Sequence, residues 1–281
     1  MADPAEIACR GRLRLLEPLG PDAVLLFINS LPPLLGAFFV VAAPTAVAML
    51  GPMLVRRRYK LSALVKNNEV AGFKFATLGV IYAVLLGFAI VSVWEKFSEA
   101  ELLVLRESGA SATLYRLSAG QDADAAATRS ALRAYLTAVV EDDWPRMAAG
   151  KESRESGKAL EELYAAAMRL VDSRPLAVGV EVLKELGAVT EARRGRLYLA
   201  AGVVPSALWA MLVTGALLTV GFTYFFAMEN LRVQTAMTGA LALIVFLGLF
   251  VIVSYDHPFT GSVAVDAAPF RALIAELSGS P

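Results

Sequence analysis

Four stretches of the chain stay apolar long enough to cross a bilayer, and the residues between them are polar or carry a helical period. A transmembrane helix needs roughly 20 mostly apolar residues. The first window, "LLGAFFVVAAPTAVAMLGPMLV", covers 34–55; it is entered through Pro32 and Pro33 and carries Pro44 and Pro52. The second lies at about 73–94, inside "EVAGFKFATLGVIYAVLLGFAIVSVWEKF". The third, "LYLAAGVVPSALWAMLVTGALLTVGFTYFFAM", runs over 197–228, with its start at the membrane interface. The fourth, "VQTAMTGALALIVFLGLFVIVSY", covers 233–255. Only Glu229, Asn230, Leu231 and Arg232 separate the last two windows, which predicts a tight antiparallel hairpin.

The polar block between the hairpins also reads as helix. Residues 98–119 continue the second window with leucines at Leu102, Leu105, Leu114 and Leu117. "DADAAATRSALRAYLTAVVEDDWPRM" and "GKALEELYAAAMRLVDSR" repeat apolar residues at 3.6-residue spacing, the latter closed by Pro175. "AVGVEVLKELGAVTEARRGRLY" leads into the third window. No run alternates long enough to predict a sheet. The expected fold is all-α: a polytopic membrane protein with four transmembrane helices in two hairpins and a helical extramembrane domain inserted between them. The expected divisions are an N-terminal segment 1–33, a first hairpin with its basic loop 34–96, the helical domain 97–196, a second hairpin 197–255 and a tail 256–281.

The second window carries the most specific pattern. Positions 69, 72, 76, 79, 83, 87, 90 and 94 fall along one narrow helical face. They are Glu69, Gly72, Ala76, Gly79, Ala83, Gly87, Ile90 and Trp94, so the line between Glu69 and Trp94 is glycine or alanine except at Ile90. Lipid gives no hydrophobic reward for helix association, and helices meet where small side chains let backbones approach. Three glycines on one face, each costing about 1 kcal/mol relative to alanine, call for a reason. The line packs against another helix of the same chain, or it meets a symmetry mate or borders a narrow passage. Glu69 stands at one mouth of such a passage, or is a solvated acid favoured at a helix start; Trp94 is placed to anchor at the interface.

Composition agrees: 57% hydrophobic and 19% charged residues, with a mean hydropathy of +0.59, belong to a membrane protein whose first partner is the lipid bilayer. A formal net charge of +0 argues against a nucleic-acid partner. Cys9 is the only cysteine and His257 the only histidine, so an intrachain disulfide, a cysteine-rich zinc site and a Cys/His nucleophile pair are excluded. No metal or cofactor site is expected. At the N-terminus no apolar region follows directly on a basic start, so the first membrane helix is expected to remain in the mature protein.

The loop holding Arg56, Arg57, Arg58, Lys60, Lys66 and Lys74 predicts a cytoplasmic loop and an external helical block. Opposing it, Arg10, Arg12 and Arg14 precede the first window, and Arg193, Arg194 and Arg196 precede the third. Gly239, Ala242 and Thr235 give the fourth window a shorter small-residue face, and Gly202, Ala210, Thr214 and Gly221 loosely do so in the third. "YDHPFTGSVAVD" reads as a helix stop rather than a catalytic or metal pair. Glu141, Asp142 and Asp143 splay around a helix and read as its solvated end. No nucleophile, base and orienting group share a meaningful spacing, so an enzyme is not expected.

Asn67 to Phe97, "YLTAVVEDDWPRMAAGK" and "DHPFTGSVAVDAAPF" together resemble a family of bacterial integral membrane proteins described as bestrophin-like. The resemblance implies a multi-pass protein of the bacterial inner membrane and a distant relation to bestrophin anion channels. Those are symmetric oligomers whose second spans surround the pore with a hydrophobic neck. It therefore implies a homo-oligomer, small inorganic ions as cargo and the second window as pore helix. The inward face here would be Gly/Ala instead of bulky apolar residues, and no counterpart of the acidic calcium clasp is present. A sensor or assembly protein, whose helical domain binds a ligand or partner, is the other expectation.

Overall fold

The computed structural model describes residues 21–279 apart from 66, 67, 150, 152 and 227. Cys9, Arg10, Arg12, Arg14, Lys66 and Asn67 therefore lie outside the described residues. Among the described residues every regular element is helical. In chain order they are α1 (Pro21–Ser30), α2 (Pro33–Arg58), α3 (Leu61–Val65), α4 (Asn68–Leu117), α5 (Ala123–Ala138) and α6 (Trp144–Ala148). Then come α7 (Glu155–Asp172), α8 (Leu176–Ala200), α9 (Ser206–Thr223), α10 (Leu231–Asp256) and α11 (Ala268–Gly279).

Helices α2, α4, α9 and α10 are long and apolar enough to cross a membrane. The 50 residues of α4 extend about 75 Å at 1.5 Å per residue. A hydrocarbon core of about 30 Å accounts for less than half of that, so the helix emerges and becomes a strut of the polar block. Helix α8 lies along this extension, α5 pairs with α7, and α10 packs on both α2 and α4.

The described residues form two cores. Leu114, Leu132, Leu136, Leu163, Leu170 and Leu186 belong to the one inside the helical block, and Tyr82, Leu212, Ala216, Ala242 and Ile252 to the one among the spans. Helix α11 lies in the tail, beyond the helices expected from the sequence, and it seals the block: Phe270, Leu273 and Leu277 are buried in its core. Their i, i+3, i+7 spacing is the signal for that helix.

Two widened turns interrupt helices α2 and α5–α6, at Phe38–Ala42 and Val139–Asp143. Each lies immediately before a proline near the next helical start, Pro44 and Pro145. A proline has no N–H to give the preceding turn, and a π turn absorbs the mismatch while shifting the phase of the next helical segment. The third window differs from expectation at its start. Residues 197–200 complete α8, Gly202 turns the chain at φ +98°, and α9 begins after Pro205.

The glycines that permit close helix contact are not those of the second-window line. A Cβ built on Gly215 would lie 2.5 Å from the Tyr82 ring, one on Gly248 2.7 Å from Leu86, and one on Gly51 2.3 Å from the Tyr224 ring. Gly239 receives Met49 in the same way, at 3.0 Å, so the fourth-window face packs within the chain as a small-residue seam should. Ala210 and Thr214 of the third window are exposed instead. Gly215→Leu is expected to displace Tyr82 from its groove and lower the thermal stability of the detergent-solubilised chain by roughly 1–3 kcal/mol, the usual cost of overpacking. An unchanged melting temperature would refute this contact.

Candidate functional site

The long helix α4 positions every residue of the Gly/Ala line. With no proline in its 50 residues, it has no kink to turn the line aside. The helix packs on the other spans through Tyr82, Ala89 and Val93, all buried, and the Tyr82 hydroxyl donates to the Leu212 carbonyl at 3.3 Å. At its start, Phe75 stacks on Phe222 with ring centroids 6.0 Å apart and meets Phe226 edge-on at 5.4 Å.

The Gly/Ala line runs roughly a quarter-turn around the helix from this packed face, at 100° per residue. Glu69, Ala76, Ala83, Gly87 and Trp94 are exposed, while Gly72, Gly79 and Ile90 are half-buried. A Cβ built on Gly79 or Gly87 would find nothing within 4 Å, and one on Gly72 would only graze Phe226 at 3.8 Å. Packing within the same chain therefore does not account for Gly79 and Gly87. Bulky exposed neighbours, Val80, Val84 and Phe88, flank the line as a lipid-facing or subunit-facing surface. Trp94 is 63% exposed, and Glu95 beside it is exposed as well.

Beyond the membrane the same helix supplies a charge that sequence reasoning missed. Glu107 is wholly buried and accepts two bonds from Arg196 of α8, Nε to Oε2 at 2.8 Å and Nη2 to Oε1 at 3.0 Å. Tyr135 of α5 donates its hydroxyl to Glu107 Oε1 at 2.6 Å. Arg196 Nη2 reaches Asp143 Oδ2 at 3.1 Å, and the guanidinium lies over the Trp144 ring with its carbon 5.0 Å from the centroid. Asp143 Oδ1 accepts from Ser156 at 2.6 Å, whose Oγ in turn accepts from Arg193 at 2.8 Å. Two carboxylates and two guanidiniums thus balance in a dry core, as buried ions require.

Local chemistry explains how Asp143 gets there. The wide turn ahead of Pro145 ends at Asp143 and shifts the helical phase, so this carboxylate points inward. Asp142 stays at the rim, accepting from Arg146 at 2.7 Å and from Ser153. The reading of the three acids as a solvated end fails at Asp143. The hydrogen bond from Ser153 and the pairing with Arg146 hold the Asp142 carboxyl below its usual range. Burial, followed by the neighbouring Glu107, pushes the Tyr135 phenol well above its usual value. Arg193 and Arg196, which by sequence are membrane-flanking cations, are members of this network.

The Asp256–His257 pair does end α10, as its sequence suggests, and it also ties the second hairpin together. Asp256 Oδ1 accepts from the Val203 and Val204 amides at 3.1 and 2.7 Å, and Trp209 Nε1 donates to Oδ2 at 3.4 Å. At the opposite end of the spans, Arg56 fastens the α9–α10 turn. Its Nε donates to Gln234 Oε1 at 3.1 Å, its Nη1 to the Glu229 carbonyl at 3.4 Å, and its Nη2 to the Met228 carbonyl.

This arrangement of spans and helical block has counterparts among solved structures. A bacterial bestrophin homologue from Klebsiella pneumoniae superposes with a TM-score of 0.65 at 17% identity, covering 84% of this chain and 98% of the other. A single-substitution variant of a Klebsiella pneumoniae bestrophin homologue gives 0.63 at 17% identity, over 84% and 98% of the two chains. Another solved membrane protein gives 0.65 at 17% identity, over 86% and 97%. No curated protein matches this chain in sequence. These likenesses establish the fold, and sequence establishes the kinship: the Bestrophin-like domain family matches continuously over residues 39–270, from the first span through the start of the last docked helix, and the chain belongs to that family.

Proposed function

We propose that the protein is a homo-oligomeric ion channel of the bacterial inner membrane, favouring small anions, with α4 nearest the symmetry axis. The observation carrying this reading is that Gly79 and Gly87 are uncovered by their own chain, on a helix whose other face is packed and whose far end is locked into the block by Glu107. Family membership supports the same geometry. In this reading Glu69 stands at one mouth and Trp94 with Glu95 at the other, while Gly72, Ala76, Gly79, Ala83, Gly87 and Ile90 border the passage or its subunit contact. The exposed Arg57, Arg58, Lys60 and Lys74 raise local anion concentration at the first mouth. The same cluster supports a cytoplasmic loop and an external helical block.

The test is chloride flux from vesicles carrying the reconstituted protein, with a cysteine placed at Ala83 as reporter. Flux and reaction of the Ala83→Cys thiol with an aqueous charged reagent are expected, with flux blocked after reaction. No flux at any voltage or pH, with complete inaccessibility of that thiol, would remove α4 from a wet pore. The 50-residue continuity of α4 favours a second reading, a sensor whose block moves the spans mechanically. A stoichiometric protein companion in an affinity purification, without flux, would select it.

A further inference from the structure

A cleft of about 450 Å³ opens between the start of α4 and the α9–α10 hairpin, within the size range of small-molecule sites, about 300–1,000 Å³. Phe75, Thr223, Phe226, Gln234, Met237 and Leu241 line it. The rim adjoins basic stretches of the chain: Arg56 bonds Gln234 of the lining, the exposed Arg57, Arg58 and Lys60 follow it in sequence, and the exposed Lys74 and Arg232 shortly precede the lining residues Phe75 and Gln234, against the exposed acids Glu69 and Glu229. Arg56 holds the rim in place by bonding the carbonyls of Met228 and Glu229. From Arg232 at the rim to Leu241 inside, α10 rises about 14 Å, so charge at the surface gives way to apolar depth along the membrane normal.

We infer that this cleft is a binding site for an anionic phospholipid, the headgroup phosphate set among the rim cations and one acyl chain lying along Met237 and Leu241. Basic pockets between spans suit anionic headgroups, and each nearby Lys or Arg strengthens binding measurably. The exposed Met237 leaves the cleft open towards the bilayer. The site draws on cations that the channel reading sets at the first mouth, and its test reads lipid rather than flux, so the two readings are scored separately.

The full chain, purified in mild detergent, is equilibrated with phosphatidylglycerol and phosphatidylcholine of matched chains, and retained lipid is read by native mass spectrometry. Phosphatidylglycerol is expected to be retained in preference. Met237→Trp, which fills the cleft from an exposed position, should lower retention of both lipids about tenfold. Arg57→Gln with Arg58→Gln and Lys74→Gln should lower phosphatidylglycerol retention about fivefold per cation removed and leave phosphatidylcholine unchanged. A photo-crosslinker at position 237 keeps the site testable if a variant fails to fold, and is expected to capture lipid. Equal retention of the two lipids by the unaltered chain, or capture of a second protein chain at 237, would overturn the site.

Discussion

Replacing Arg196 with alanine is expected to destabilise the helical block by about 3–5 kcal/mol, the cost of leaving buried charge without its partner. Arg196 has no exposed side-chain surface, and neither do Glu107 and Asp143. Its removal strands Glu107 without a cation, leaves Asp143 with Arg193 alone, and empties the space over the Trp144 and Phe270 rings. Arg196→Lys should fall only slightly short of alanine, because a single ammonium cannot span Glu107 and Asp143 with a rigid fork. The measurement is thermal unfolding followed by circular dichroism in detergent. A loss under about 1 kcal/mol for Arg196→Ala, typical of a solvated pair, would show that the network is not dry.

The same network sets an alkaline limit. The Tyr135 phenol titrates higher in the folded chain than its ordinary value of 10.0, so the folded form holds its proton where the unfolded form releases it. That contribution is complete below about pH 10 and is lost as pH rises through the folded value. Glu107 lies 89 residues before Arg196 in the chain, and Asp143 lies 53 before it. No periodicity within a helix connects positions so far apart, which is why the sequence alone puts Arg196 at a membrane border and Asp143 in solvent and singles out nothing at Glu107.

The spans were legible because their length and apolarity are local properties: α4 and α10 contain the second and fourth windows whole. The block's helices were legible by period as well. The end of α8 was not, because apolar residues 197–200 look like membrane whether they sit in a span or cap a core; Gly202 and Pro205 make that distinction. Helix α11 is short and stands apart from the long periodic runs, although Phe270, Leu273 and Leu277 carry its face. A stripe of small residues shows that something can approach closely but not what does. Only the folded chain shows that Tyr82, Ala89 and Val93 are packed while nothing of this chain lies close to Gly79 and Gly87.

That distinction yields the other large effect. Gly87→Leu is expected to leave the isolated subunit folded and inserted, since a side chain there meets nothing of its own chain. Its assembly should weaken about 5- to 150-fold per subunit contact, corresponding to an overpacking cost of roughly 1–3 kcal/mol, with flux lost in parallel. Gly87→Ala separates this from a passive role. On a lipid-facing helix alanine should stabilise by up to about 1 kcal/mol through propensity alone; at a close backbone contact the added methyl offsets or reverses that gain. Oligomer mass in mild detergent and subunit melting, measured together, decide the matter. A Gly87→Leu protein that assembles and conducts normally would place the line against lipid and remove α4 from both the axis and the subunit contact. Assembly with flux abolished would instead leave the added bulk inside the passage, because a side chain that blocks ions without parting the subunits must project into the space they cross.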